Sequence, residues 1–177
     1  MLEKTQEAQL RQAEGGLVPD GEGWFLVNLS QAQAVHTERF GDACRFEGSA
    51  EFPEFGINVR VLQPGQPNCL YHRESNQEAF LVLSGECIAI VEDRERTMHV
   101  GDFLYAPPGT AHVVVGSGTS PCAILMVGAR KADVELLYPV SEVAARHGAS
   151  AERETGDASV AYAGTDPRKP TSLPLPW

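Results

Sequence analysis

Between about residue 52 and residue 130, apolar and polar side chains alternate in short runs broken by Gly and Pro. In "INVRVLQPG" the residues Ile57, Val59 and Val61 share one face, and Pro64-Gly65 turns the chain. "EAFLVLSGE" predicts a strand ended by Ser84-Gly85, and "CIAIVEDRERTMHV" predicts a hairpin with a charged turn at Asp93-Arg94. "GDFLYAPPGTAHVVVGSG" and "PCAILMVGA" each carry a further strand. Short strands at intervals of roughly 8–12 residues, with turn residues between them, are the pattern of an antiparallel barrel or sandwich.

The two ends have a different texture. Residues 1–14 predict a helix whose apolar stripe, Leu2 and Leu10, is thin, and Gly15-Gly16 ends it. "GWFLVNLS", residues 23–30, reads as a strand, and "SQAQAVH" as a short helical turn capped by Ser30. After Arg130, "PVSEVAARHG" predicts a short helix with Ser141 as its cap and Gly148 past its end. Four prolines among the last eleven residues argue against regular structure there, leaving a disordered tail or an arm on a neighbour, which Trp177 favours. The division expected is an N-terminal extension (1–22), a barrel (23–130) and a C-terminal helix with a Pro-rich arm (131–177).

Within the barrel, "YHRESNQEAF" concentrates chemistry. His72 and Glu74 are two residues apart and so point the same way along a strand, and Glu78 follows four residues later. His112 opens another apolar strand just after "PPG". Antiparallel pairing of the two strand starts would converge two imidazoles and two carboxylates. That donor set suits a divalent ion, and two carboxylates would neutralise its charge. With no Cys donor, a purely structural zinc site is disfavoured.

These residues carry a resemblance. "GQPNCLYHRESNQEAFLVLSG" resembles the first motif of the cupin superfamily: Gly, five residues, His-x-His, three or four residues, Glu, six residues, Gly. "GDFLYAPPGTAHVVVG" resembles the second: Gly, five residues, Pro-x-Gly, two residues, His, three residues, Asn. Gly101, Pro107, Gly109 and His112 fit the second, and Glu78 to Gly85 has the spacing of the first. Three positions depart. Gly65 lies one residue too far from His72, Gly116 replaces the final Asn, and Glu74 replaces the second His of His-x-His. The resemblance implies an all-β, antiparallel double-stranded β-helix (a jelly-roll or cupin barrel), here with short helical N- and C-terminal extensions. It implies metal ligation by His72, Glu78 and His112, with Glu74 in the fourth position. Glu74 either ligates through a carboxylate oxygen or turns aside, leaving two His and one Glu with open positions.

Hard donors favour Fe, Mn or Zn, with Ni or Co as further options. The function this suggests is a small-molecule metalloenzyme, an oxidoreductase of the dioxygenase kind or a Lewis-acid isomerase. The alternatives are a non-catalytic small-molecule-binding or metal-stabilised barrel, and a metal-free pocket working by acid–base chemistry. Arg60, on a strand, either reaches into the barrel toward an anionic substrate or lies on the surface. Tyr71, Arg73 and Gln77 are expected at solvated positions, the alternative being that they border the pocket, and His36, His99 and His147 at structural or surface ones.

Composition bounds these readings. A chain of 177 residues with 17 Gly, 12 Pro and 42% apolar residues suits one turn-rich β body. A net charge of −10 argues against nucleic acid and anionic membrane as partners. Cys44, Cys69, Cys87 and Cys122 show no C-x-x-C spacing, and the three of them in apolar, strand-like segments read as small buried side chains. The polar N-terminus has no signal-peptide core and no run is long enough to span a membrane, so a cytoplasmic protein is expected. Exposed barrel edges and long extensions suggest a homodimer.

Overall fold

The computed structural model describes residues 5–176. Its body is two antiparallel sheets. The larger is built from β3 (Gln33–Thr37), β4 (Gly41–Cys44), β5 (Phe55–Leu62), β7 (Glu78–Ser84), β10 (Phe103–Ala106), β12 (Cys122–Ala129) and β14 (Lys169–Ser172), in the order β10-β7-β12-β5-β4-β3-β14. The smaller contains β8 (Glu86–Val91), β9 (Arg94–His99) and β11 (His112–Ser117), in the order β11-β8-β9. Two short pairs complete the set: β1 (Gln9–Ala13) with β2 (Gly16–Asp20), and β6 (Arg73–Glu74) with β13 (Leu136–Leu137).

The alternation in the sequence becomes two buried faces. Leu62, Phe80, Val82, Cys87, Ala89, Val114, Cys122 and Ile124 point between the sheets and form the barrel core. The intervening residues of the larger sheet, Val59, Val61 and Ala123, pack outward against Ala32, Ala34 and Leu173. Those of the smaller sheet, Ile90, Val113 and Val115, pack against Ala144 and Ala149 around helix α1 (Glu142–Ala145). Cover on both faces is why Val113, Val114 and Val115 form an unbroken apolar run. Ser141 caps α1, its hydroxyl accepting from Ala144 N at 3.0 Å, and Gly148 follows at φ +64°, as expected.

The fold departs from expectation in four places, most of them toward the ends of the chain. The N-terminal segment is the β1–β2 hairpin over its described residues, with Leu2 of the expected helix outside them. Gly15 in the turn and Gly16 at the start of β2 have φ of +84° and +142°, and a Cβ on Gly15 would lie 2.6 Å from Thr171 O. Tertiary pairing overrides the helix-forming composition. Residues 25–28 form no strand, and Ser30 caps nothing: its own N–H donates to Asn28 Oδ1 in a turn leading to β3. The β8–β9 turn is Glu92-Asp93, both at positive φ, one residue earlier than expected. Finally, the Pro-rich tail holds β14, paired to β3 with Pro170 opposite Val35. Proline is tolerated because β14 is an edge strand. The tail lies on its own chain, burying Leu173; Trp177, which favoured an arm on a neighbour, lies outside the described residues. A second short helix, α2 (Ala158–Ala161), precedes it.

Candidate metal centre

His72, just before β6, and His112, the first residue of β11, face each other across an antiparallel bridge. His112 N donates to His72 O at 2.8 Å, and His72 N to His112 O at 3.2 Å. Expected convergence of the two strand starts is therefore what the backbone delivers. Glu78 enters from the first residue of β7, opposite Gly128 of β12. A Cβ on Gly128 would lie 3.4 Å from Glu78 Oε1, so glycine leaves the carboxylate its room.

Both imidazoles are oriented the same way. His72 Nδ1 lies 2.9 Å from Leu70 O, and His112 Nδ1 lies 2.9 Å from Thr110 O. A carbonyl only accepts, so each Nδ1 carries a proton and each ring turns its Nε2 inward, where it offers a lone pair whenever the ring is neutral. Those Nε2 atoms lie 3.5 Å (His72) and 2.8 Å (His112) from Glu78 Oε2. One donor atom from each of the three residues falls within 4.8 Å of the others. His112 Nε2 and Glu78 Oε2 are both enclosed, and despite their approach neither makes a hydrogen bond of acceptable geometry. Buried polar atoms without partners call for an explanation. A cation between them supplies it, and two neutral imidazoles with one carboxylate fit a divalent ion.

Electrostatics agree with a site built for charge. Burial alone would raise the Glu78 carboxyl, but the adjoining His112 and His72 imidazoles hold it down at about 2. Burial works to lower His72, yet Cys69 and Glu78 lift it well above its ordinary value. Glu74 lies outside the three-residue set. Burial and the Glu78 charge raise its pKa, with His72 and His112 opposing. Glu74 lines a neighbouring surface depression with Arg73, Pro108, Gly109 and Leu136.

Other residues pack around these three. Cys69 Sγ lies 3.6 Å from His72 Nδ1, Tyr138 packs 5.9 Å from the His72 ring, and Phe80 meets the His112 ring edge-on at 5.2 Å. Tyr138 is missed because it lies far along the chain, beyond the barrel strands; its one hint is an aromatic beside the apolar Leu136-Leu137. Tyr71 corrects the solvated reading: it is 2% exposed and its hydroxyl accepts from Asp93 N. Arg73 and Gln77 are exposed as expected. His36 pairs with Asp42 and His147 with Glu95, while His99 is exposed. All four cysteines are free, and Cys44, Cys87 and Cys122 are buried.

A family model described as "Cupin domain" matches residues 58–128, which contain all three converging residues. The chain contains a cupin domain. Solved structures agree on the fold. A sugar phosphate isomerase from a cupin superfamily of Silicibacter pomeroyi aligns at TM-score 0.50 and 22% identity, over 61% of this chain and 66% of that one. A polyketide cyclase from Streptomyces resistomycificus aligns at TM-score 0.52 and 17% identity, over 62% and 82%. A proposed sugar phosphate isomerase from Acidithiobacillus ferrooxidans is 28% identical over 47% of this chain, with TM-score 0.45. The chain spans 55% of the latter protein and 66% of the Silicibacter one. No curated protein matches the sequence. The family match carries the cupin assignment, and the two likenesses at TM-scores of 0.50 and 0.52 agree with its fold. No helix among the described residues is long and apolar enough to cross a membrane.

Proposed function

We propose that the protein is a small-molecule metalloenzyme whose cupin domain holds a divalent cation through His72, Glu78 and His112. The observation that carries this is the pair of Nε2 lone pairs, fixed by backbone carbonyls, aimed with one carboxylate at a single point. Fe, Mn and Zn suit these donors best. Such an ion supplies Lewis acidity, and dioxygen activation where it is redox-active. The chain supplies the rest. Glu78 neutralises part of the cation's charge, while Phe80 and Tyr138 pack against the two rings and keep water from their sides. Glu74, outside the ligand set and with a raised pKa, is the carboxyl suited to exchange a proton with a substrate beside the ion. Elemental analysis tests the reading: as-isolated protein should carry about one divalent ion per chain, lost in His112→Ala. Metal-free wild type that cannot be reconstituted would overturn it. Glu74→Gln should keep the ion and lose turnover, first sought by oxygen uptake and by isomerisation of small oxygenated substrates.

We infer in addition a homodimer. Supporting it, β10 is an edge strand that exposes Phe103 (65%) and Tyr105 (51%) beside Val100. A second copy would cover that apolar edge.

A further inference from the structure

On the other side of His72 lies a cavity of about 350 Å³, between the inner face of β3–β5 and the segment following α2. Three arginines line it: Arg60 from β5, Arg45 just after β4 and Arg168 just before β14. Arg60 is half-buried and points inward, which resolves its two sequence readings. Its Nη1 donates to Phe40 O at 3.1 Å, but its Nε is enclosed and has no partner. The hydroxyl of Thr165, also on the wall, is enclosed and equally without a partner. Asp166 is the single carboxylate among the lining residues, and it is exposed. Among the described residues, arginine ion pairs are made by Arg130 and Arg146, not by these three.

This arrangement is costly as it stands. Burial lowers the pKa of Arg60, and the charges of Arg168 and Arg45 lower it further, while Cys69 and Tyr162 oppose. Guanidinium groups remain charged regardless, so like charges are held together around unmet donors. A group that would satisfy them must be anionic, rich in acceptor oxygens and small enough for the cavity. Arginine forks match the oxygens of carboxylate and phosphate.

We propose that this cavity binds the oxyanion of a small molecule, a phosphate or a carboxylate group. The Nε–H of Arg60 and the hydroxyl of Thr165 donate to it, and Arg45 and Arg168 close over its charge. The site goes beyond the metal reading, because none of its donors is His72, Glu78 or His112. Cys69 is the shared wall, lining the cavity and touching His72.

The test is calorimetric titration of the full chain with inorganic phosphate and, separately, with succinate, at constant ionic strength. Wild type should bind at least one probe saturably, about one per chain. Arg60→Met should abolish binding, and Arg168→Gln should weaken it about tenfold. His112→Ala should change it less than about twofold, separating this site from the metal centre. Saturation by phosphate alone assigns a phosphoryl ligand, by succinate alone a carboxylate, and by both an oxyanion of either kind. Absence of saturable binding of either probe at roughly 20 mM overturns the proposal. So does binding lost in His112→Ala but intact in both arginine variants. Arg168 is exposed, so its variant reports even where Arg60→Met fails to fold.

Discussion

The two histidines owe their roles to hydrogen bonds on the far side of their rings. Each Nδ1 is tied to the carbonyl two residues back, so ring orientation is set by local backbone and the tautomer is set with it. Glu78 then titrates against that pair. In metal-free protein its folded pKa is depressed from 4.5 to about 2, so its contribution is present above the unfolded value and is lost as pH falls through the folded one. His72 is raised above 6.5, so its contribution is full below that value and is lost as pH rises through its folded pKa. The pair is therefore at full strength between about pH 4.5 and 6.5. Thermal melts of metal-free wild type and Glu78→Gln should differ most in that window and converge toward pH 2; an undiminished gap at pH 2 would contradict this. At this scale the sequence was informative where chemistry is local. His72, Glu78 and His112 sit at motif spacings, whereas Cys69, Tyr138 and the arginine cavity depend on packing between distant segments. For Glu74 the sequence left both readings open, ligation or turning aside, and the three donors that converge are those of the other residues.

Among the elements, period-two alternation found the barrel strands because each strand divides its residues between two buried faces. It failed at the ends for a reason visible at Gly15. "QEAQLRQAEGG" has the composition of a helix, yet Gly15 permits a tight turn against Thr171. Gly15→Ala must place a Cβ 2.6 Å from a backbone oxygen at positive φ. The expected loss is about 1–3 kcal/mol, read from denaturant midpoints at unchanged slope. Proline content alone does not reveal β14, because an edge strand tolerates proline and the tail's place at the edge is set by tertiary pairing. Leu173, 5% exposed, anchors it against Val59, Val61 and Ala123. Leu173→Ala should cost about 2–4 kcal/mol in the same measurement, whereas a loosely attached tail would show almost none.

For the whole molecule, the all-β barrel was readable because the motifs and the strand pattern agree. The wrapping of the ends around it was not, since β14 pairs with residues more than a hundred positions earlier. Solution mass addresses assembly: light scattering at micromolar concentration should give twice the 19.1 kDa chain mass. Phe103→Lys with Tyr105→Lys should return the mass to one chain without lowering metal content; a wild-type monomer would refute the dimer. The late position of Arg168 has its own consequence for the order of events in synthesis. The cupin strands that hold His72, Glu78 and His112 are all made by residue 129, whereas β14 follows some forty residues later. A chain emerging from the ribosome can close its barrel before the final strap exists. The arginine-lined cavity is then finished only when the last residues dock, so a nascent or C-terminally clipped chain would have its imidazoles in register and still lack its anion pocket.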